Sequence, residues 1–470
     1  MINNEFVPSR SGAAFDAVDP TTESVLAAAA SGDEADVDAA VTAARAALEN
    51  GPWATAGPHD RARVLRRFAE VIVDNADELA HLETLNNGTP IGITRGGMTL
   101  TADRLQYFAG AAPYAAGQTM PSPSGRFTYT LREPVGVCAG IIPWNSPVSN
   151  AVKTFGPALA AGNTVILKPA EQTPLSAIRL AELAIDAGLP PGVFNVITGF
   201  GKSAGAALVR HPGVNKLNFT GSLETGRQVA REATANLKRV TLELGGKSPN
   251  IIFADADLSK AVPAAVNGFS KNAGQMCTAG SRLFVHESIR EEFIDRIKEQ
   301  LAGLTLGNPL DPQTTMGPLV SRQQMERVER YVEVGKAEGA NIRFGGSPIS
   351  GPGYFVEPTV FDQVNSDMRI AVEEIFGPVL SVISFTDEDE VVRQANESVF
   401  GLGAGVWTQD ISRAHRLVRR LQAGTVWVNA YNALDVTMPF GGQKQSGIGR
   451  ELGLDWYREF TEEKAVLINL

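Results

Sequence analysis

The sequence predicts an α/β fold built on doubly wound parallel sheets, and three observations carry that prediction. From Val135 onward, short apolar runs alternate with stretches of helical spacing, one strand and one helix about every 25 residues. Several of these runs end in glycine turns, as in VFNVITGFG and KLNFTGS. The 470 residues, at roughly 150 per domain, supply two or three domains with large cores.

Each element follows in order. The first 110 residues read as helical, with Val64, Leu65, Phe68, Val71 and Ile72 on one helix face behind Asp60 as N-cap. Residues 112–134 change character: Gly, Pro and Ser punctuation leads into the alternating FTYTLRE run, an extended arm or hairpin. VGVCAGII, TVILKP, VFNVIT, KLNFTG and RVTLELGG then read as strands, separated by helical segments such as PLSAIRLAELAIDAG. Such βαβ units place ligands at the carboxyl ends of their strands, so a Rossmann-like cofactor domain is the natural assignment. After NIIFADAD a second alternation begins with RLFVH, helices over 288–303 and 321–338, then PVLSVISF, GAGVW and GTVWVN, a second α/β domain. The tail EEKAVLINL is strand-like and on its own leaves an unpaired edge, which another subunit would satisfy.

Composition narrows the function. Lys and Arg number 42 against 52 Asp and Glu, a formal charge of −10, with no basic block, so a nucleic-acid partner is not expected. No stretch approaches the roughly 18 uninterrupted apolar residues of a membrane span, and MINNEFVPSRSG has no secretory signal pattern, so a soluble cytoplasmic protein is expected. Two cysteines cannot build a disulfide framework or a four-cysteine zinc site, and HExxH is absent, so no metal is expected.

The cysteines differ in context. Cys138 sits inside the apolar run VGVCAGII and reads as a small buried side chain. Cys277 lies in AGQMCTAGSR, where small residues permit an exposing turn, and is either a nucleophile or filler. None of the five histidines, His59, His81, His211, His286 and His415, adjoins a motif of small and polar residues, which demotes a Cys–His dyad. Glu243 ends RVTLELGG before two glycines, where it is a turn residue or a carboxylate projecting into a ligand crevice. Asn145, in IIPWNSP, is a turn residue or a donor to a developing oxyanion. Gly199, Gly201 and Gly205 follow VFNVIT in a GxGxxxG spacing, and Gly221 and Gly226 flank Ser222 at a helix start, which suits a pyrophosphate. With Lys168 ending TVILKP, these turns make a dinucleotide reasonable.

Taken in order, PWNSP, LKPAEQTP, FTGSLETG, ELGGKSP, GQMC, EEIFGPV and PFGGQKQSGIGRE resemble the aldehyde dehydrogenase superfamily almost end to end. The resemblance implies NAD(P)-dependent oxidation of a small-molecule aldehyde to a carboxylic acid. Cys277 would be the nucleophile, passing through a thiohemiacetal and a thioester, with Asn145 and the Cys277 N–H holding the oxyanion and Glu243 activating water. Cofactor contacts are implied at Trp144, Lys168, Glu171, Gly201, Phe219, Gly221, Ser222, Leu244, Glu374 and Phe376. Glu171 would accept from the ribose hydroxyls and favour NAD, with NADP left open by Lys168 and Lys202. The implied domains are 1–111 with 135–243 for the dinucleotide, 244–446 for catalysis, and 112–134 with 447–470 as oligomerisation arm and tail of a homodimer or homotetramer. A coenzyme A-acylating relative and a non-catalytic structural relative are the alternatives. Many members carry a lysine nine residues after the Asn; here Thr154 stands in that place and Lys153 comes one earlier. Tyr431 and Asp435 would stand near the substrate mouth, either facing water or recognising a polar or amino aldehyde.

Overall fold

In the computed structural model, which describes residues 1–470, the chain begins with a hairpin where helix was expected. Strand β1 (Ala14–Val18) pairs antiparallel with β2 (Val25–Ala30). The turn between them is chemical: the Asp19 carboxylate accepts from the Thr21 N–H and the Thr22 hydroxyl, both at 2.8 Å. Four helices follow, α1 (Glu34–Asn50), α2 (Pro58–Asp74), α3 (Ala76–Asn87) and α4 (Ile91–Ala111). The apolar face of α2 is buried as expected at Leu65, Phe68, Val71 and Ile72. Asp60 is not its N-cap. Pro58 suits the first helical position and excludes helical geometry from the residue before it, so Gly57 caps. Asp60 lies within the first turn and accepts from the Gly57 N–H at 3.0 Å.

After β3 (Thr119–Met120) and β4 (Arg126–Pro134), the first βαβ array runs β5 (Val137–Ile141), α5 (Pro147–Ala160), β6 (Thr164–Lys168), α6 (Leu175–Asp186), β7 (Phe194–Val196), β8 (Lys216–Thr220), α7 (Leu223–Ala233) and β9 (Arg239–Glu243). These five strands are parallel in the order β9-β8-β5-β6-β7. The chain walks outward from β5 to β7 and then returns to set β8 on the other side of β5. Strand order therefore reverses between β5 and β8, the place where such sheets bind ligands. Side chains alternate between two cores: Val137, Ala139 and Leu217 meet Val37 and Ala40 of α1, while Cys138, Val165 and Leu167 meet α4, α5 and α6.

The second array comprises β10 (Pro249–Ile252), α8 (Leu258–Ser270), β11 (Arg282–His286), α9 (Arg290–Ala302), α10 (Arg322–Ala337), β12 (Asn341–Phe344), β13 (Thr359–Asp362), β14 (Val379–Phe385), β15 (Gly403–Trp407) and β16 (Thr425–Val428). Its sheet order is β12-β13-β14-β11-β10-β15-β16, parallel except for the edge strand β12. The doubly wound α/β class expected from the sequence is thus present twice.

The tail departs from expectation. Strand β17 (Gly447–Ile448) hydrogen-bonds antiparallel to β9 opposite Glu243 and Leu242, so this part of the tail completes the first sheet. Strand β18 (Thr461–Asn469) finds its partner in its own chain, pairing residue for residue with β4 from Pro134 to Arg126. Only its outer edge is left without a strand in the three-stranded sheet β18-β4-β3. No helix is long and apolar enough to cross a membrane.

Candidate active site

Parallel strands put their carboxyl ends along one edge, and the sequence places its chemistry there. Trp144 and Asn145 follow β5, Lys168 ends β6, Gly221 and Ser222 follow β8, and Glu243 ends β9. The second array contributes Cys277 from the irregular segment between α8 and β11. That segment turns through three successive left-handed residues, Asn272, Ala273 and Gly274, with φ of 52°, 51° and 72°. For Asn and Ala this is strained backbone, held by its surroundings. Asn272 donates to the Asn145 carbonyl at 3.0 Å and accepts from the Thr89 hydroxyl at 2.6 Å.

Asn145 and Cys277 meet across this seam. The Asn145 side-chain amide donates to the Gln275 carbonyl at 2.9 Å, which leaves its second N–H, and its Oδ1 accepts from Asn150 at 3.3 Å. The Cys277 N–H has no acceptor in the chain. The Gly245–Gly246 pair explains itself here. A Cβ on Gly246 would lie 2.5 Å from the Cys277 carbonyl oxygen, and one on Gly245 would collide with the Glu374 carboxylate. Burial pushes the half-buried Cys277 thiol up to about 12; Lys153 pulls it back, and Glu243, Glu374 and Glu451 add to the rise.

Glu243 is 3% exposed, and neither carboxylate oxygen has a hydrogen-bond partner. Burial, reinforced by Glu451, raises its ionisation well above the carboxylate range against the pull of Lys153 and Arg450. Thr154 does not reach this centre: its hydroxyl donates to the Asn150 carbonyl at 2.9 Å, and its methyl packs against Gly140. Lys153 does. Its ammonium sits 2.8 Å from Glu451, and although burial pulls it down, that carboxylate holds it above the usual lysine range.

The residues implied for a cofactor fall into three groups. Glu374 accepts from the Gly246 N–H at 3.1 Å, and burial lifts it to about 7. Beside it, Phe376 stands perpendicular to Trp144 with ring centroids 5.1 Å apart. Lys168 is buried at the end of β6, donating to the Pro169 carbonyl at 2.7 Å and, at 3.5 Å, to the half-buried Glu171. Ser222 caps α7 by accepting from the Thr225 N–H at 3.3 Å, Phe219 packs under Gly221, and Leu244 packs on Gly226 of α7. Gly201 opens a short turn, is exposed, and a Cβ there would meet nothing; at the far end of that turn Gly205 lies against the Lys168 stem. The second and third groups stand at the carboxyl ends of β6 and of β8 and β9 on the same sheet edge.

Three side chains that sequence motifs did not single out, or misassigned, hold this arrangement. On one face of α10, Gln324 donates to the carbonyls of Ile375 (3.1 Å) and Phe376 (2.8 Å), and Arg327 to those of Glu374 (2.6 Å) and Ile375 (3.2 Å). Together they fix Phe376 at a φ of +62°. Tyr431 is half-buried and packs between Gly268, Gly280 and Gly405, with its hydroxyl on the Thr278 carbonyl at 3.0 Å, directly behind the thiol loop. Asp435 does line the cavity in front of Met276, with its carboxylate turned onto Thr437 at 2.8 Å.

A buried carboxyl, a thiol and paired amide donors at the seam of two α/β arrays can perform nucleophilic and base chemistry on a carbonyl. Known proteins share the whole chain. The family model described as "Aldehyde dehydrogenase family" matches residues 6–466. The Bacillus subtilis (strain 168) protein DhaS is 50% identical over 470 residues, covering 100% of this chain and 95% of that protein. Aldehyde dehydrogenase 1 of Tanacetum cinerariifolium is 48% identical over 468 residues, covering 99% of this chain and 94% of that one. Among solved structures, the NAD+ complex of aldehyde dehydrogenase from Bacillus cereus superposes with a TM-score of 0.99 at 47% identity, over 100% of this chain and 96% of that one.

Proposed function

The chain belongs to the aldehyde dehydrogenase family, the oxidoreductases that act on aldehydes, and from that premise we propose that it oxidises its aldehyde to the carboxylic acid with NAD as hydride acceptor. In this proposal Cys277 is the nucleophile and Glu243 the base that activates the hydrolytic water. The observation that carries it is Glu243 itself, a carboxyl buried at a strand end with both oxygens unpartnered, close enough to the Cys277 thiol to raise its pKa.

The residues present fit the dinucleotide. Glu374 offers an acceptor beside the Trp144–Phe376 pair, Ser222 and Gly221 open a helix N-terminus, and Lys168 and Glu171 stand at the end of β6. Glu171 would accept from ribose hydroxyls and oppose a 2′-phosphate, which favours NAD over NADP. NAD supplies the electrophile that takes a hydride from the substrate carbon. The chain's own residues do the rest. The Cys277 thiol loses its proton to solvent as its sulfur adds to the carbonyl carbon, and the oxygen that becomes negative receives the free Asn145 N–H and the Cys277 N–H. Loss of hydride from this thiohemiacetal leaves a thioester on Cys277. Glu243 takes a proton from water as the water oxygen attacks the thioester carbon, the C–S bond breaks, the leaving sulfur takes that proton back from Glu243, and the acid leaves. Aldehyde, water and oxidised cofactor are consumed; acid, reduced cofactor and one proton are formed.

The β18-β4-β3 sheet, with Phe127, Leu467 and Ile468 exposed beside an open strand edge, supports assembly as a homodimer or homotetramer. Two unpaired cysteines suit a reducing compartment, the cytoplasm. Rapid-mixing absorbance of NADH tests the chemistry. Cys277→Ala abolishes NADH formation, whereas Glu243→Gln gives one equivalent per site in a burst and then turns over roughly 10²- to 10⁴-fold more slowly. Full steady-state activity in Glu243→Gln, or turnover that requires coenzyme A, overturns the assignment.

A further inference from the structure

The cavity in front of the thiol loop sets one guanidinium and a few hydroxyls into a wall that is otherwise largely apolar, with Met98, Leu100 and Val436 among its carbons. It measures about 790 Å³ and is walled by Ser146, Ser149, Met276 and, from α4, Thr101 and Arg104. On the same helix a Cβ at Gly92, Gly96 or Gly97 would meet nothing, so this face of α4 leaves room for a ligand. Arg104 is half-buried. It donates to the Ser149 hydroxyl, which leaves the rest of its N–H fork without a partner in the chain, and no carboxylate lies within ion-pairing distance. Glu451, the anion whose charge acts on it, is held by Lys153 at 2.8 Å. The other anions of the wall are engaged or outside: Glu83 accepts from the Val148 N–H at 2.9 Å, Asp435 is turned onto Thr437, and Asp103 is exposed. Lys271, at the same cavity, is exposed and also makes no ion pair.

A guanidinium in this position is poorly matched to an apolar substrate, because an alkyl tail would strip its water and return no hydrogen bond. A carboxylate would fill the planar fork and keep the charge paired. Ser149, which holds Arg104, lies one helical turn before Lys153, whose charge acts on Cys277, so one helix serves both the Arg104 wall of the cavity and the surroundings of the thiol. We propose that the pocket takes aldehydes whose far end carries a carboxylate, and that Arg104 is the residue that selects them. This rests on the oxidation assigned above.

The test compares kcat/KM, with NAD, for a short aldehyde ending in a carboxylate and for the alkanal of the same length, in the parent chain, Arg104→Met and Arg104→Lys. The parent prefers the carboxylate by at least about 10-fold, Arg104→Met collapses that ratio by roughly 10- to 100-fold through KM, and Arg104→Lys recovers part of it. A parent that prefers the alkanal, or an Arg104→Met variant that loses both substrates by the same factor, overturns the proposal. If neither aldehyde is oxidised, the oxidation assignment falls on its own. Calorimetric binding of the matching dicarboxylic acid to the parent and to Arg104→Met then decides the role of Arg104: loss of binding in the variant supports it, and equal binding or none in the parent overturns it.

Discussion

Cys138 and Cys277 are both driven up to about 12 by burial, yet they sit in opposite kinds of backbone. Cys138 is 3% exposed in β5, a central strand bonded on one side to β6 and on the other to β8, with Val165 and Lys216 as its register neighbours. Its peptide groups are committed to the ladder. Cys277 lies in a loop twisted by three left-handed residues, half-exposed, with its N–H uncommitted and an amide donor anchored two residues away. Thiol ionisation in the resting chain therefore does not separate the proposed nucleophile from the buried strand thiol. What separates them is freedom: a strand consumes the groups a reacting atom needs, and a strained loop releases them.

Alkylation breaks or sharpens this comparison most directly. Iodoacetamide followed by peptide mass spectrometry finds Cys277 modified and Cys138 untouched in the folded chain. Because the thiolate reacts and both thiols are protonated near neutrality, the Cys277 rate climbs about tenfold per pH unit between about pH 7 and 9. Its charge environment predicts the sign of two further changes. Glu243→Gln removes a group that raises the thiol pKa and speeds alkylation; Lys153→Met removes the group that lowers it and slows alkylation. Comparable labelling of Cys138 would erase the distinction drawn above.

A smaller effect tests the released donors. Asn145→Ala lowers kcat by roughly 10²- to 10³-fold if its free N–H serves a developing oxyanion. The same side chain also ties the loop to β5 through the Gln275 carbonyl, so turnover and alkylation are measured together. Turnover falling with alkylation preserved assigns an oxyanion role, whereas parallel losses reduce Asn145 to support of the loop.

How far the sequence could carry this is visible residue by residue. The strands were legible because parallel strands covered on both faces are continuous apolar runs, and Glu243 stood out because a carboxylate before two glycines needs a reason. The reason is tertiary: Gly245 and Gly246 make room for the Glu374 carboxylate and the Cys277 carbonyl, from segments far along the chain. Gln324 and Arg327 were invisible for the same cause, since they act on backbone carbonyls that any sequence possesses. The exchange of Thr154 and Lys153 could be noticed but not resolved by counting. Only packing shows that Thr154 is turned onto Gly140 while the lysine one residue earlier reaches Glu451. The first hairpin was lost because its strands are alanine-rich and its turn depends on one Asp side chain.

The smallest effect belongs to Cys138, where the prediction is one of stability alone. Cys138→Ala removes a sulfur from a core shared by Val165, Leu167 and Phe155 and leaves a small void, costing about 1 kcal/mol. Cys138→Ser keeps the volume nearly constant but asks an oxygen to sit among those same carbons, which costs roughly 1–3 kcal/mol unless the hydroxyl finds an acceptor. Serine is therefore the more damaging of the two, lowering the melting temperature by a few degrees more than alanine. Lys216 bears on the outcome, since it is the charged neighbour that acts on Cys138; its ammonium is already bonded to Thr241 at 2.7 Å and Glu459 at 3.3 Å, and it has nothing to accept with. In both variants NADH turnover at room temperature survives, because the Asn145 turn is fixed by Asn150, Asn272 and Gln275 and by no atom of Cys138. A Cys138→Ala chain that kept its melting temperature but lost turnover would move this thiol from core to chemistry and overturn the contrast with Cys277.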